Sequence, residues 1–521
     1  MEINKEFIKD RVISGLISES AGDYALPDYN GDVKKILFTS ARAVPSGKFP
    51  SADTVQFSGA VEYSIVYLDG ENNITHCEFT TDYDIAVKCN EESYRDADID
   101  TAVENTSIRL SGPRKFMTKA VLSSTVHLLE ADEIGVDGDS FIGRDPEVLM
   151  KDINIRCTAV SLSEEREYAE ELEHLDGVIA DEAEVLIAKA EVKTASATAE
   201  GERGEHKGEI VVTALVKCEG EVPHRVEKSI PFEDSFIFDG DNSLEGIRVL
   251  DVIPSITVTS LRCTVAPDAD GVTVAASVIT EGKMKVVGNT SAGIVKDCYL
   301  TDSGCDNDES VYDFCELIGC ECQGVRISES VPRSSASCEN TRNFIFADAA
   351  ARTDEVKLAD GGVNLSGEVR FSGIACEISE DGTPVYSNVK LSVPFSENVN
   401  ISCQIPEGAR VEYTVLSKDA DITLDGANLV AECALDMHVS IVKDRRESYV
   451  CASNKNETEY VDDDTLVCVY YPDEGETLFD IAKKYHKSQL TIAGVNSLTE
   501  SVFAEKTSPL STLGVNKLII R

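Results

Sequence analysis

The chain has no tryptophan, and aromatic residues make up only 6% of its 521 positions. Basic residues are scarce as well: 48 Lys and Arg face 94 Asp and Glu, which leaves a net charge of −46. A surface this acidic repels phosphate backbones and anionic headgroups, which argues against binding nucleic acid or charged membranes. No apolar run reaches the roughly 18 residues that a membrane-spanning helix needs. Met1 to Asp10 alternate charge with single apolar side chains and lack the apolar stretch of a secretory signal. A soluble, cytosolic protein is expected.

Catalytic signatures are missing too. There is no Gly-x-x-x-x-Gly-Lys-Ser/Thr phosphate loop, no His-Glu-x-x-His and no Gly-x-Ser-x-Gly elbow. The seven histidines (His76, His127, His174, His206, His224, His438, His486) stand singly. A lone histidine is more often structural than catalytic. His486 follows a helix-like segment, where it suits the negative end of the helix dipole. The many carboxylates form no pattern that nominates a glycosidase acid and base. Cys298, Cys305, Cys315, Cys320, Cys322 and Cys338 crowd into 41 residues, yet they include no Cys-x-x-Cys pair and no nearby histidine. No metal, no cofactor and no enzymatic activity are expected, only thiols in a reducing compartment.

What is present is enough for folded cores. Hydrophobic residues reach 42%, and the length suggests about three or four domains. Val55, Phe57, Gly59, Val61, Tyr63, Ile65 and Tyr67 occupy every second position, the period of a half-buried strand. Asp69-Gly70 then signals a hairpin turn, and a return segment reaches Tyr83. The pattern recurs from Gly208, with Ile210, Val212, Ala214 and Val216, a turn at Glu219-Gly220 and a return ending in Pro231-Phe232. It recurs again from Val363 to Ala375, with a turn at Asp381-Gly382 and a return ending in Pro394-Phe395.

The spacings match. Glycine to closing aromatic is 24 residues for Gly59 to Tyr83, 24 for Gly208 to Phe232 and 28 for Gly367 to Phe395. Ala41, Ala190 and Ala349 each lie 18 residues before the glycine. Further alternation follows at Val272 to Val278 and at Leu429 to Leu435. Three repeated antiparallel β-sandwich-like units are expected. Ser163 to His174 is dense in helix formers and reads as a solvated connecting helix.

The C-terminal stretch differs. Leu466 to Arg521 carries six basic and six acidic residues, so the whole charge deficit lies before it. A short strand at 466–471 precedes Pro472, and Leu478, Ile481, Ala482 and Tyr485 then share one helical face. Thr477 and Asp480 have capping-box spacing. A second short helix runs from about Leu490 to Asn496, and a strand closes the chain at 517–521. The expected unit is a small α+β fold, βααβ.

Tyr470-Tyr-Pro-x-x-Gly-Glu-Thr-Leu-x-x-Ile-Ala-x-x-Tyr485, then Asn496, then Gly514-x-x-Lys-Leu-Ile-Ile520, resembles a LysM domain. That family binds N-acetylglucosamine glycans such as peptidoglycan. The resemblance implies a shallow groove, with Gly475, Glu476, Thr477 and Leu478 on one wall, Pro509 and Leu510 on the other, and Asn496 fixing the loop after the second helix. The chain departs from the family in Gly475-Glu476-Thr477, where Gly-Asp-Thr is usual, and in its long insertion from Ser497 to Thr512. With the lead Leu26-Pro-Asp-Tyr-Asn-Gly-Asp-Val-Lys-Lys-Ile-Leu37, the order of parts resembles the SPOCS-domain proteins of spore-forming Firmicutes. The expected division is 1–140, 175–300 and 343–450 for the β units, 301–342 for a Cys- and Ser-rich connector, 451–465 for an acidic linker, and 466–521 for the LysM domain.

This resemblance implies a non-enzymatic sporulation scaffold in the mother-cell cytosol, at the forespore surface. Its implied partner is a SpoIVA-like spore coat morphogenetic ATPase, engaged through the LysM end. The alternative is a peptidoglycan-binding protein acting in wall or cortex assembly.

Overall fold

The computed structural model describes residues 5–137, 140, 145–179, 183–218, 222–336, 341–359, 361–380, 382–460, 467–498 and 508–521. The protein is mainly β. Its first strands are β1 (Lys5–Ala25), β2 (Val33–Pro50), β3 (Thr54–Asp69), β4 (Ile74–Lys88), β5 (Tyr94–Gly112) and β6 (Lys115–Ile134). They form two three-stranded antiparallel sheets, β2-β3-β4 and β1-β6-β5. The two sheets pack face to face: Val61, Tyr63, Tyr83 and Ile85 meet Ala120 and Leu122 in one buried cluster.

Next come β7 (Glu147–Leu162), β8 (Arg166–Asp176), β9 (Glu184–Glu200), β10 (Arg203–Lys217), β11 (His224–Ile237), β12 (Ile247–Pro267) and β13 (Gly271–Tyr299). Their sheets are β9-β10-β11 and β12-β13-β7, with β8 also paired to β13. The strands β14 (Ser303–Pro332), β15 (Asn343–Ala359), β16 (Gly362–Ile378), β17 (Pro384–Asn400), β18 (Arg410–Asp425) and β19 (Asn428–Glu459) follow. They make the sheets β15-β16-β17 and β14-β19-β18. One strand order therefore appears three times: a three-stranded meander, and a hairpin whose second strand also pairs with the leading strand.

The matched spacings have a physical cause. Gly59 stands opposite Tyr83, Gly208 opposite Phe232 and Gly367 opposite Phe395 across neighbouring strands. The Tyr83 ring lies within 2.4 Å of where a Cβ on Gly59 would stand, and the Phe232 ring within 2.9 Å at Gly208. At these two positions glycine leaves room that the aromatic fills, whereas a Cβ on Gly367 would meet the Arg352 carbonyl at 2.0 Å. Ala41, Ala190 and Ala349 likewise face Tyr63, Val212 and Phe371, each four residues past its glycine. The longer third spacing is taken up at the β16–β17 turn, where Gly382 adopts a φ of +87°. The turn read at Glu219-Gly220, like Asp381, lies outside the described residues.

Four expectations are corrected. Ser163 to His174 does not form a helix: from Arg166 on it belongs to β8, which lies along β13. Tyr168 and Leu172 pack against a core there, and this burial outweighs helix propensity. The expected 301–342 connector is mostly β14, paired over nearly its whole length with β19. The expected 451–465 linker begins as strand, since β19 continues to Glu459. The second set of sheets also starts earlier than 175, because β7 and β8 are part of it.

The sets of sheets meet in several buried clusters. Leu37, Phe38 and Val66 join Leu186, Ile187, Leu215, Ile345, Phe346 and Ile374 in one buried cluster. Elsewhere Phe7 and Ile134 pack with Ile153, Ile155, Ala292 and Ile294, against Tyr312, Phe314 and Tyr449. Beyond Thr290, β13 has left β12 and runs on beside β7 alone, up to Tyr299. The far ends of β13, β14 and β19 carry the last part of the chain.

Candidate recognition site

The C-terminal unit comprises β20 (Cys468–Tyr470), α1 (Leu478–Lys484), α2 (Gln489–Val495) and β21 (Leu518–Ile520), with β20 and β21 antiparallel. Gly475 bends the chain with a φ of +95°, which glycine accepts without strain. Thr477 then caps α1. Its Oγ1 accepts from the Asp480 N–H at 3.1 Å, and the Asp480 carboxylate accepts from the Thr477 N–H at 2.9 Å. α1 buries Leu478, Phe479, Ile481 and Ala482. Ser488 caps α2, whose Ile492 and Ala493 join the same core as Leu510, Leu518 and Ile520.

The segments 475–478 and 509–510 lie side by side. The Leu510 N–H donates to the Glu476 carbonyl at 2.9 Å. The Glu476 carboxylate accepts from the Tyr470 hydroxyl at 2.9 Å and from the Asp473 N–H at 2.8 Å. Pro509 is half-buried beside this seam, and its carbonyl accepts from the Thr512 N–H at 3.0 Å. Asn496 ends α2 and ties it to β21: its Nδ2 donates to the Ile492 and Ile519 carbonyls, and its Oδ1 accepts from the Ile519 N–H. Leu478 and Leu510 point inward, at 2% and 0% exposure, so they support the walls from behind. Only Gly475, Glu476, Thr477 and Pro509 reach the surface.

The unit is seated on the body. The Tyr299 hydroxyl donates to the Lys487 carbonyl at 2.9 Å, and the ring meets Phe479 edge-on at 5.3 Å. Burial drives the Tyr299 phenol far above its ordinary pKa. Lys483 pairs with Asp297, and Gln489 Nε2 donates to Glu147 at 2.9 Å. Leu149 and Cys305 pack against the same core. His486 stacks on Tyr460, with 3.5 Å between ring centroids. Burial pushes its pKa down, which disfavours the charged form that would suit a helix end. Sequence reasoning missed Glu147, Asp297 and Tyr299. They are remote in sequence, and no local pattern marks them.

The crowded cysteines are spread along two strands. Cys298 donates to Asn307 Oδ1, Cys315 lies by Arg410 and Cys320 by Ser440. Burial pushes all three thiols up to about 11, so they stay protonated at neutral pH. Cys338 lies outside the described residues. Among the described residues, His174, Asp176 and Asp270 bring ligand-type atoms within 4.8 Å of one another. Both carboxylates are highly exposed and pair with the imidazole at 3.2 and 3.4 Å. One depression, of about 470 Å³, is lined by Lys9, Arg11, Lys88, Cys89 and Glu130 among others, and opens to solvent.

No helix of the described residues is long and apolar enough to cross a membrane. No family model, no curated protein and no solved structure matches the chain.

Proposed function

We propose that the protein is a non-enzymatic sporulation scaffold, built of three repeated SPOCS-like β-sandwich units and a LysM domain. It docks through the LysM domain onto a spore coat basement-layer protein, a SpoIVA-like ATPase, at the forespore surface in the mother-cell cytosol. One observation carries this reading. Exposed apolar side chains gather in the C-terminal unit, at Val467, Val469, Tyr471, Leu490 and Val495. The basic end of the same unit is fastened to the acidic body through Lys483 and Asp297. Apolar side chains left exposed beside such a seat suit a protein surface.

The same geometry disfavours glycan. The Glu476 carboxylate is engaged by Tyr470 and Asp473, and the Thr477 hydroxyl by the helix cap. Few side-chain hydrogen-bonding groups remain on the wall for sugar hydroxyls. Co-sedimentation of the full chain with the polymerised ATPase, and separately with purified peptidoglycan sacculi, tests the reading. Saturable binding to the ATPase polymer is expected. Saturable binding to sacculi, with none to the ATPase, overturns it in favour of the peptidoglycan reading.

A further inference from the structure

The buried cluster shared by the three β units has an internal order. Leu37, Leu186 and Ile345 each lie four residues before Ala41, Ala190 and Ala349. Phe38, Ile187 and Phe346 each lie three residues before those alanines. Val66, Leu215 and Ile374 each lie seven residues after Gly59, Gly208 and Gly367. All nine are at most 4% exposed and belong to one cluster. Each unit thus supplies its side chains from the same three places, as subunits do around a threefold axis.

The neighbour relations run in one direction around that cluster. β2 of the first unit lies against β16 and β17 of the third. β9 of the second lies against β3 and β4 of the first, and β15 of the third against β11 of the second. In every case the first strand of one meander meets later strands of another. Three such head-to-tail contacts return to the start. A linear array would leave the first and third units apart, whereas Phe38 and Phe346 meet edge-on at 5.1 Å.

Buried charges cross the same boundaries. Asp10 of the first unit accepts from the Thr158 hydroxyl of the second at 2.5 Å. Arg156 of the second lies 3.6 Å from Asp10 and bonds Glu412 of the third at 2.7 Å. Lys283 and Lys285 of β13 pair with Asp98 and Asp100 of β5. At a half-exposed edge, Lys193 of β9 also pairs with Asp419 of β18 at 2.7 Å.

We propose that the joining surface of each β unit fits another copy of the same unit, and that the chain is an internal trimer closed into a ring. A head-to-tail interface either closes or grows into a filament. Here it closes within one chain, so no joining surface remains for a second molecule. Assembly with partners must then use other surfaces. The proposal does not depend on what the C-terminal unit binds, and its failure leaves that reading standing.

The test uses the full chain, with protease sites inserted at 138–144 and at 300–302, between β13 and β14, so that each piece keeps its own two sheets. After both are cut, native mass spectrometry should still find the three pieces as one 1:1:1 complex at micromolar concentration. In the uncut monomer, a lysine-reactive cross-linker should join Lys35 to Lys390, which flank the contact between the first and third units. Phe38→Asp, Ile187→Asp and Phe346→Asp should each weaken the nicked complex about a hundredfold or more, because each buries a charge in the shared cluster. Separation of the unsubstituted pieces after cutting overturns the proposal. So does the absence of the Lys35–Lys390 link from the monomer.

Discussion

The body and the C-terminal unit are held by different means. The three sets of sheets share a buried apolar cluster to which each contributes at least three side chains. The C-terminal unit has its own small core and rests on the body through Tyr299, Leu149, Cys305 and a few polar bonds. Apolar burial scales with area and has no alternative partner in water, whereas half-exposed ion pairs are screened. The body should therefore melt as one, and the terminal unit should respond on its own. Charge follows the same division, with the acid excess in the body and a neutral balance in the terminal unit.

The largest expected effect breaks the body. Phe346→Asp places an unpaired charge in the shared cluster, at a cost of several kcal/mol, on the order of a whole domain's stability. Circular dichroism should show loss of strand signal from all three sets of sheets together. Loss from the third set alone would mean that the sets fold separately.

Leu478→Asp should come next. Leu478 is 2% exposed in the small core, so the terminal unit should unfold while the body keeps its transition. Hydrogen exchange should speed up within 468–520 and stay unchanged in β2, β9 and β15. Exchange that rises in the body as well would show that the seat is a true structural joint.

Acid sharpens the comparison further. Asp10 has no exposed side-chain surface. Burial alone would raise its pKa, but His127, then Arg156 and Thr158, more than offset this and hold it at about 2, against an ordinary 3.8. A carboxyl depressed on folding stabilises the fold above its unfolded value, and that contribution is lost as the pH falls through the folded value. Asp10→Asn should cost the body about 2 kcal/mol at neutral pH and much less near pH 2. Urea melts at several pH values measure this. A cost independent of pH would show that the ion pairs of Asp10 contribute nothing.

The smallest effect lies at the seat. Lys483→Ala removes a pair whose partners are 42% and 32% exposed, so the cost should stay below about 1 kcal/mol and vanish in high salt. Hydrogen exchange at α1 and α2 should rise slightly. A large loss would make the pair central to the attachment.

Much of the body was legible because its signals are local. A glycine facing an aromatic leaves a fixed spacing, and alternation marks each meander. β8 and β14 were not legible for the opposite reason. β14 begins opposite Glu459, more than a hundred residues away, so nothing nearby reveals its partner. The Thr477–Asp480 cap could be read because its two halves lie three residues apart. Spacing alone could not show that Leu478 and Leu510 point inward, nor that Glu147, Asp297 and Tyr299 form a seat.

The most direct test compares the affinity of the full chain and its Tyr471→Glu variant for the polymerised ATPase. Tyr471 is 68% exposed, so the substitution should leave the melting profile unchanged. Placing a charge on the proposed contact face should weaken binding by about thirtyfold or more. Unchanged affinity, with an intact melting profile, would contradict recognition through the terminal unit.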